Sequence, residues 1–172
     1  MAVRGIVLYP DPILRRPTRV VESFDEALVR LADDLTETMY AAPGVGLAAP
    51  QVGVDLRVTV VDVAPGKVGS RLHVLVNPRL VAAQGSQVDD EGCQSIPGLP
   101  EKVVRPASIR VAAQSVTGEP FELEAEGYLA RALCHEIDHL DGVLFVDRLT
   151  GLRKELALRR LRKLPYVREA TA

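Results

Sequence analysis

The sequence is sparing with the residues that bind metals and form cross-links, holding three histidines and two cysteines among 172 residues. Two cysteines, Cys93 and Cys134, make a structural disulfide framework an unsuitable reading, so each thiol is taken as a core residue or a ligand. No apolar run approaches the roughly 20 residues that a membrane-spanning helix needs. The start, MAVRGIVLYPDP, has neither the layout of a secretion signal nor the Arg- and Ser-rich look of a transit peptide, so a cytoplasmic location is expected. Charge is also nearly balanced. With 21 basic and 23 acidic residues the net is −2, so no global field recruits nucleic acid or an acidic membrane. Repeats, low-complexity tracts and linkers are missing, and a hydrophobic content of 47% suffices for a core, so residues 1–172 are expected to form one domain.

What is there reads as a mixture of helices and locally paired strands. Ser23 precedes Glu26 by three residues, a capping-box pattern, and Leu28, Leu31, Leu35 and Met39 follow at helical spacing, so a helix is expected over roughly 24–41. Pro43 and Gly44 stop it. Val58 to Val63 and HVLVNP read as strands, and ASIRVAAQ with PFELEAE reads as a hairpin turning at Thr117-Gly118. GYLARALCHEIDHLDG is helical, closed by Gly142. LFVDRL is expected to be extended, and a basic helix over about 150–165 precedes a frayed tail. Strands outnumber helices and pair locally, so the expected class is α+β with antiparallel sheets.

Within the second helix, HEIDH places His135 and His139 four residues apart, on one face, where both imidazoles can reach one ion. Glu136 lies about 100° around the helix, able to reach a water on a metal without ligating it. Leu129, Leu133, Ile137 and Leu140 form the opposite, core-facing stripe. A catalytic metal needs a third protein donor. Phe145 stands where a metzincin would have its third histidine, and Glu155, the donor a zincin-type protease would recruit, lies in the basic helix. Cys93 is the better donor, beside Gly92, which would let the backbone approach closely. Spacing alone leaves Cys93 open between ligand and buried thiol. Cys134 leaves the helix about 100° from His135 and reads as a small buried hydrophobe. Asp138 is offered a partner in Arg105, and Asp89 and Asp90 read as a solvated loop.

Three blocks then stand in order: GVGLAAPQ (44–51), EGCQS (91–95) and HEIDH (135–139), flanked by YPDPILRRP and HLDGVLFVDRL. Together they resemble the peptide deformylase family, whose enzymes remove the formyl group from the N-terminal methionine of new chains and release formate. The resemblance implies antiparallel sheets packed around a central HExxH-bearing helix, with a C-terminal helix, in one catalytic domain. It implies a metal held by Cys93, His135 and His139: ferrous iron natively, with zinc, nickel or cobalt able to replace it. Glu136 would be the acid/base. The Gln51 side-chain amide and the backbone N–H of Gln94 would bind the formyl oxygen, with Gly46 beside them. Gly44, Val45 and Gly46 would pair with the substrate backbone as an added strand, and Val45, Tyr128, Ala132 and His135 would line the methionine pocket. Two residues depart from the family pattern: Gln94 stands where an apolar residue is usual, and Cys134 where glutamine is common. The implied partner is the formyl-methionyl nascent peptide. Arg153, Lys154, Arg159, Arg160, Arg162 and Lys163 offer a basic helix for the ribosome, and a monomer without membrane contact is expected.

Overall fold

A computed structural model describes residues 2–171. Helix α1 (Glu26–Ala41) starts at Asp25, whose carboxylate accepts from the Ala27 and Leu28 amides. The expected Ser23 box is therefore not the cap. Asp25 is adjacent to the first helical residue, and its charge complements the helix N-terminus as well as filling the free donors. After α1 come β1 (Gly46–Ala48), β2 (Val58–Val61), β3 (His73–Gln84), β4 (Gln87–Cys93), β5 (Ile96–Arg105), β6 (Ser108–Gln114) and β7 (Pro120–Glu126). Helices α2 (Gly127–Leu140), α3 (Gly151–Leu161) and α4 (Pro165–Ala170) complete the order.

Among the described residues, five strands form one antiparallel sheet in the order β1-β2-β3-β6-β7, and β4-β5 form a separate hairpin. Strand β2, Val-Thr-Val-Val, is buried throughout. Its Val58 and Val60 pack with Leu28, Leu31, Leu35 and Met39 of α1, while Val61 packs with Leu133 and Ile137 of α2. Period-2 alternation thus sandwiches the strand between two helices, which explains why neither of its faces is exposed. Helix α2 is buried from Ala130 to Leu140, so the HExxH-bearing helix is the central one. It ends in a Schellman motif: Gly142, at φ +71°, donates to the His139 carbonyl at 3.2 Å, and Val143 to the Asp138 carbonyl at 2.9 Å. A Cβ on Gly142 would also stand 2.8 Å from the Arg15 backbone.

Three segments differ from the sequence reading. LFVDRL is a 3-10 turn, Phe145–Arg148, because the Asp147 carboxylate accepts from the Leu144 amide at 2.8 Å and folds the backbone back. This buries Phe145 and Val146 against Leu14, Ile96 and Leu161. Asp89 and Asp90 are exposed but lie on β4, paired with Val103 and Lys102. The basic segment divides into α3 and α4 on either side of Arg162–Leu164. The β6-β7 hairpin turns at Gly118, φ +86°, with the Ser115 hydroxyl accepting from Thr117 and Glu119.

Candidate metal centre and active site

Two elements bring the donors together. His135 and His139 project from α2, and Cys93 ends β4 at the tip of its hairpin, where Gln94-Ser95 is the turn and Cys93 pairs with Ile96. The Cys93 Sγ lies 3.2 Å from His139 Nε2, which lies 3.2 Å from His135 Nε2. The three ligand atoms all fall within 4.8 Å of one another. Donors sharing one tetrahedral ion stand about 3.3–3.6 Å apart, a spacing near that of the Cys93–His139 and His139–His135 pairs, so this trio could hold a single ion. Glu155 is exposed on α3 and is not part of the group, and Cys134 is buried elsewhere, beside Leu80, Val104 and Ile137. Burial pushes the Cys134 thiol up to about 11, which suits the small buried hydrophobe expected of it.

Electrostatics at the trio favour a cation. Burial opposes ionisation of Cys93, but the two imidazoles outweigh it and hold the thiol well below its ordinary range. His135 Nδ1 is 2.6 Å from Glu91 Oε1. That carboxylate also takes two bonds from Arg105, at 2.6 and 3.1 Å, and one from Arg131 at 2.9 Å. Burial would raise its pKa; the His135 and Arg105 contacts instead hold it at about 2. Glu91 was not singled out from the sequence, yet it sits two residues before Cys93 on a strand and so shares its face. Arg105 continues to Asp138 at 2.6 Å, the pair anticipated above, and Arg148, unforeseen, binds the same carboxylate at 2.5 and 3.0 Å. Phe145, in the metzincin-histidine position, stacks on His135 at 6.1 Å instead of ligating.

Truncating Arg105 should therefore be costly. Arg105→Met leaves two buried carboxylates short of their shared cation, and a loss of about 3–5 kcal/mol in denaturant-derived stability is expected. A loss below 1 kcal/mol would mean that Arg131 and Arg148 suffice.

A cleft of about 320 Å³ opens onto the trio, lined by Gly44, Val45, Gly46, Gln51, Cys93, Gln94, Tyr128, Ala132, His135 and Glu136 among others. Every site residue expected from the sequence other than His139 therefore borders one opening, and His139 lies beneath it, 1% exposed. Glu136 is 4% exposed, and its Oε2 has no partner. Burial pushes its carboxyl up to about 7, against the pull of both imidazoles. A Cβ on Gly46 would stand 2.4 Å from Glu136 Oε1, so only glycine there leaves the carboxylate its place. Gln51 is fixed at its oxygen, which accepts from the Ala48 amide at 2.8 Å, and its Nε2 points to Ser95 Oγ at 3.3 Å and Cys93 Sγ at 3.6 Å. Gly92, by contrast, meets nothing within 4 Å of a built Cβ, so the expected close backbone approach does not explain it.

The model of the family described as Polypeptide deformylase matches residues 3–155. The chain belongs to that family. It is 48% identical over 164 residues to a peptide deformylase of Acidobacterium capsulatum, covering 95% of this chain and 96% of that protein. It is likewise 48% identical over all 172 residues to one from Syntrophobacter fumaroxidans, covering 100% of both. Its fold superposes on the crystal structure of peptide deformylase from Thermus thermophilus with a TM-score of 0.90, at 44% identity over 98% of this chain and 99% of that one. As a peptide deformylase it is an enzyme, a metal-dependent hydrolase that removes the N-formyl group from newly made polypeptides. Among the described residues, no helix of this deformylase is long and apolar enough to cross a membrane.

Proposed function

We propose that Cys93, His135 and His139 hold one ferrous ion, replaceable by zinc, nickel or cobalt, and that residues 1–172 act as one catalytic domain around it. The observation that carries this reading is the convergence of the three donors beside a buried, unpartnered Glu136 oxygen. Bound there, the ion would lower the pKa of a water and draw charge from the formyl oxygen. Glu136 takes the proton of the attacking water and later hands it to the leaving amine. The Gln51 amide and the backbone N–H of Gln94 donate to the oxygen as its charge develops, a type of contact worth about 3–4 kcal/mol of barrier. Strand β1 is the edge of its sheet, and Gly44–Gly46 enters it along the cleft, so an extended peptide can add there as a further strand. Val45, Tyr128 and Ala132 then wall the methionine side chain. The formyl carbon bears only hydrogen, and a cleft this tight around Gly46 excludes larger acyl groups.

Anaerobically prepared, iron-loaded protein is expected to release formate from formyl-Met-Ala-Ser and no acetate from acetyl-Met-Ala-Ser. Activity should fall in air as iron and Cys93 oxidise. Equal activity from aerobic and anaerobic preparations would remove iron as the native ion.

The same reading makes the protein a cytoplasmic monomer working at the ribosome. Its free thiols suit a reducing compartment. Of the basic side chains on α3, Arg160 pairs with Glu101, while Arg153 and Lys154 donate to the Lys102 and Asp147 carbonyls. Exposed Arg159, Arg162 and Lys163 are therefore the ones offered to ribosomal RNA. Changing these three to Glu, rather than deleting a helix that buries Ala157 and Leu161, should abolish ribosome co-sedimentation at low salt.

A further inference from the structure

Gln94 is a turn residue of the metal hairpin, and its backbone N–H has been given to the formyl oxygen. Its side chain makes a separate connection. Nε2 donates to the Ala42 carbonyl at 2.9 Å, and Ala42 is the C-cap of α1. The last carbonyls of a helix have no partner in the next turn, so this donor fills a real vacancy. The amide lies directly over Gly44, where a built Cβ would stand 2.1 Å from Nε2 and 3.0 Å from Cδ. Its Oε1 is sealed from solvent without a partner, so the group is committed to this one bond. An apolar side chain at position 94 could not make it.

We propose that the Gln94 side chain is a positioning residue that latches the Ala42–Gly46 segment to the hairpin carrying Cys93. One side of the latch leads into the strand edge that would grip the peptide backbone, and the other into the N–H that would grip its formyl oxygen. The latch sets the distance between these two grips. It rests on the substrate placement proposed above, and it makes recognition of residues beyond methionine depend on a side chain that touches neither of them.

The test compares a long and a short substrate, formyl-Met-Ala-Ser and formyl-Met, on the iron-loaded enzyme. In Gln94→Leu, KM for the tripeptide is expected to rise about fivefold, near the worth of one ordinary hydrogen bond. KM for formyl-Met should move less than about twofold, and amide hydrogen exchange at Val45 and Gly46 should quicken. Gln94→Glu, which turns a carboxylate toward the Ala42 carbonyl, should split the two substrates at least as far. A merely structural role would shift both KM values together, and that result, or no shift at all, overturns the proposal. If Gln94→Leu does not fold, Gln94→Glu supplies the second variant, and an unsplit KM there overturns the proposal equally. Wild-type protein that releases no formate from either substrate would instead sink the substrate reading itself.

Discussion

Cys93→Ala is expected to give a folded protein that no longer retains its metal through desalting and releases formate below detection. Cys93 is half-buried at a hairpin tip, so losing its sulfur costs little packing, but it removes the one thiolate among three donors. Loss of a hydrogen bond that merely supports a metal ligand weakens affinity roughly 10- to 100-fold, and loss of the ligand should exceed that. Two comparisons make the result specific. Glu155→Ala, which removes the donor a zincin would use, should keep the metal in full. Cys134→Ala should also keep it, with a modest stability cost of about 1 kcal/mol for a vacated buried site. Retention of metal by Cys93→Ala together with loss in Glu155→Ala would reverse the assignment. Metal content by elemental analysis, read against circular dichroism for folding, decides it.

Glu136→Gln should separate metal binding from chemistry. The substitution keeps the side chain's shape in the space that Gly46 leaves open, so fold and metal should be unchanged. It removes the group that accepts a proton, a role typically worth about 100- to 10,000-fold in rate. The expected outcome is one equivalent of metal with formate release slowed within or beyond that range. A variant within about tenfold of wild type would show that the proton is taken elsewhere. His139 Nδ1, buried and without a partner, is the only other ring nitrogen at the centre that the described contacts leave free, and it belongs to a ligand.

Legibility in the sequence followed how local the determining physics is. The α2 helix could be read because its apolar stripe and its ligand pair both follow helical period, and Gly142 marks its end. The Thr117-Gly118 hairpin announced itself through turn chemistry. The β4-β5 hairpin did not, although it carries Cys93. Its inward positions include Glu91, Glu101 and Arg105, so the alternation that marks a half-buried strand was written partly in charges. Those charges are buried because they meet partners distant in sequence: Arg160 for Glu101, Asp138 for Arg105, His135 for Glu91. The Arg105–Asp138 pair was anticipated, but no window of sequence shows the other two. The same holds for the turn at Phe145–Arg148, set by an aspartate cap and by packing against residues as remote as Leu14. The three proposed metal donors were named from residue type and from the order of the family's blocks. Their meeting point, with Gln51 and Gly46 beside it, required the fold.

X-ray absorption spectroscopy on anaerobically prepared, iron-loaded protein tests the central claim most directly, because it counts the atoms around the ion. One sulfur and two imidazole nitrogens, with a lighter oxygen or nitrogen neighbour completing the sphere, is the expected result. A sphere without sulfur, or one in which carboxylate oxygen takes its place, would contradict the account.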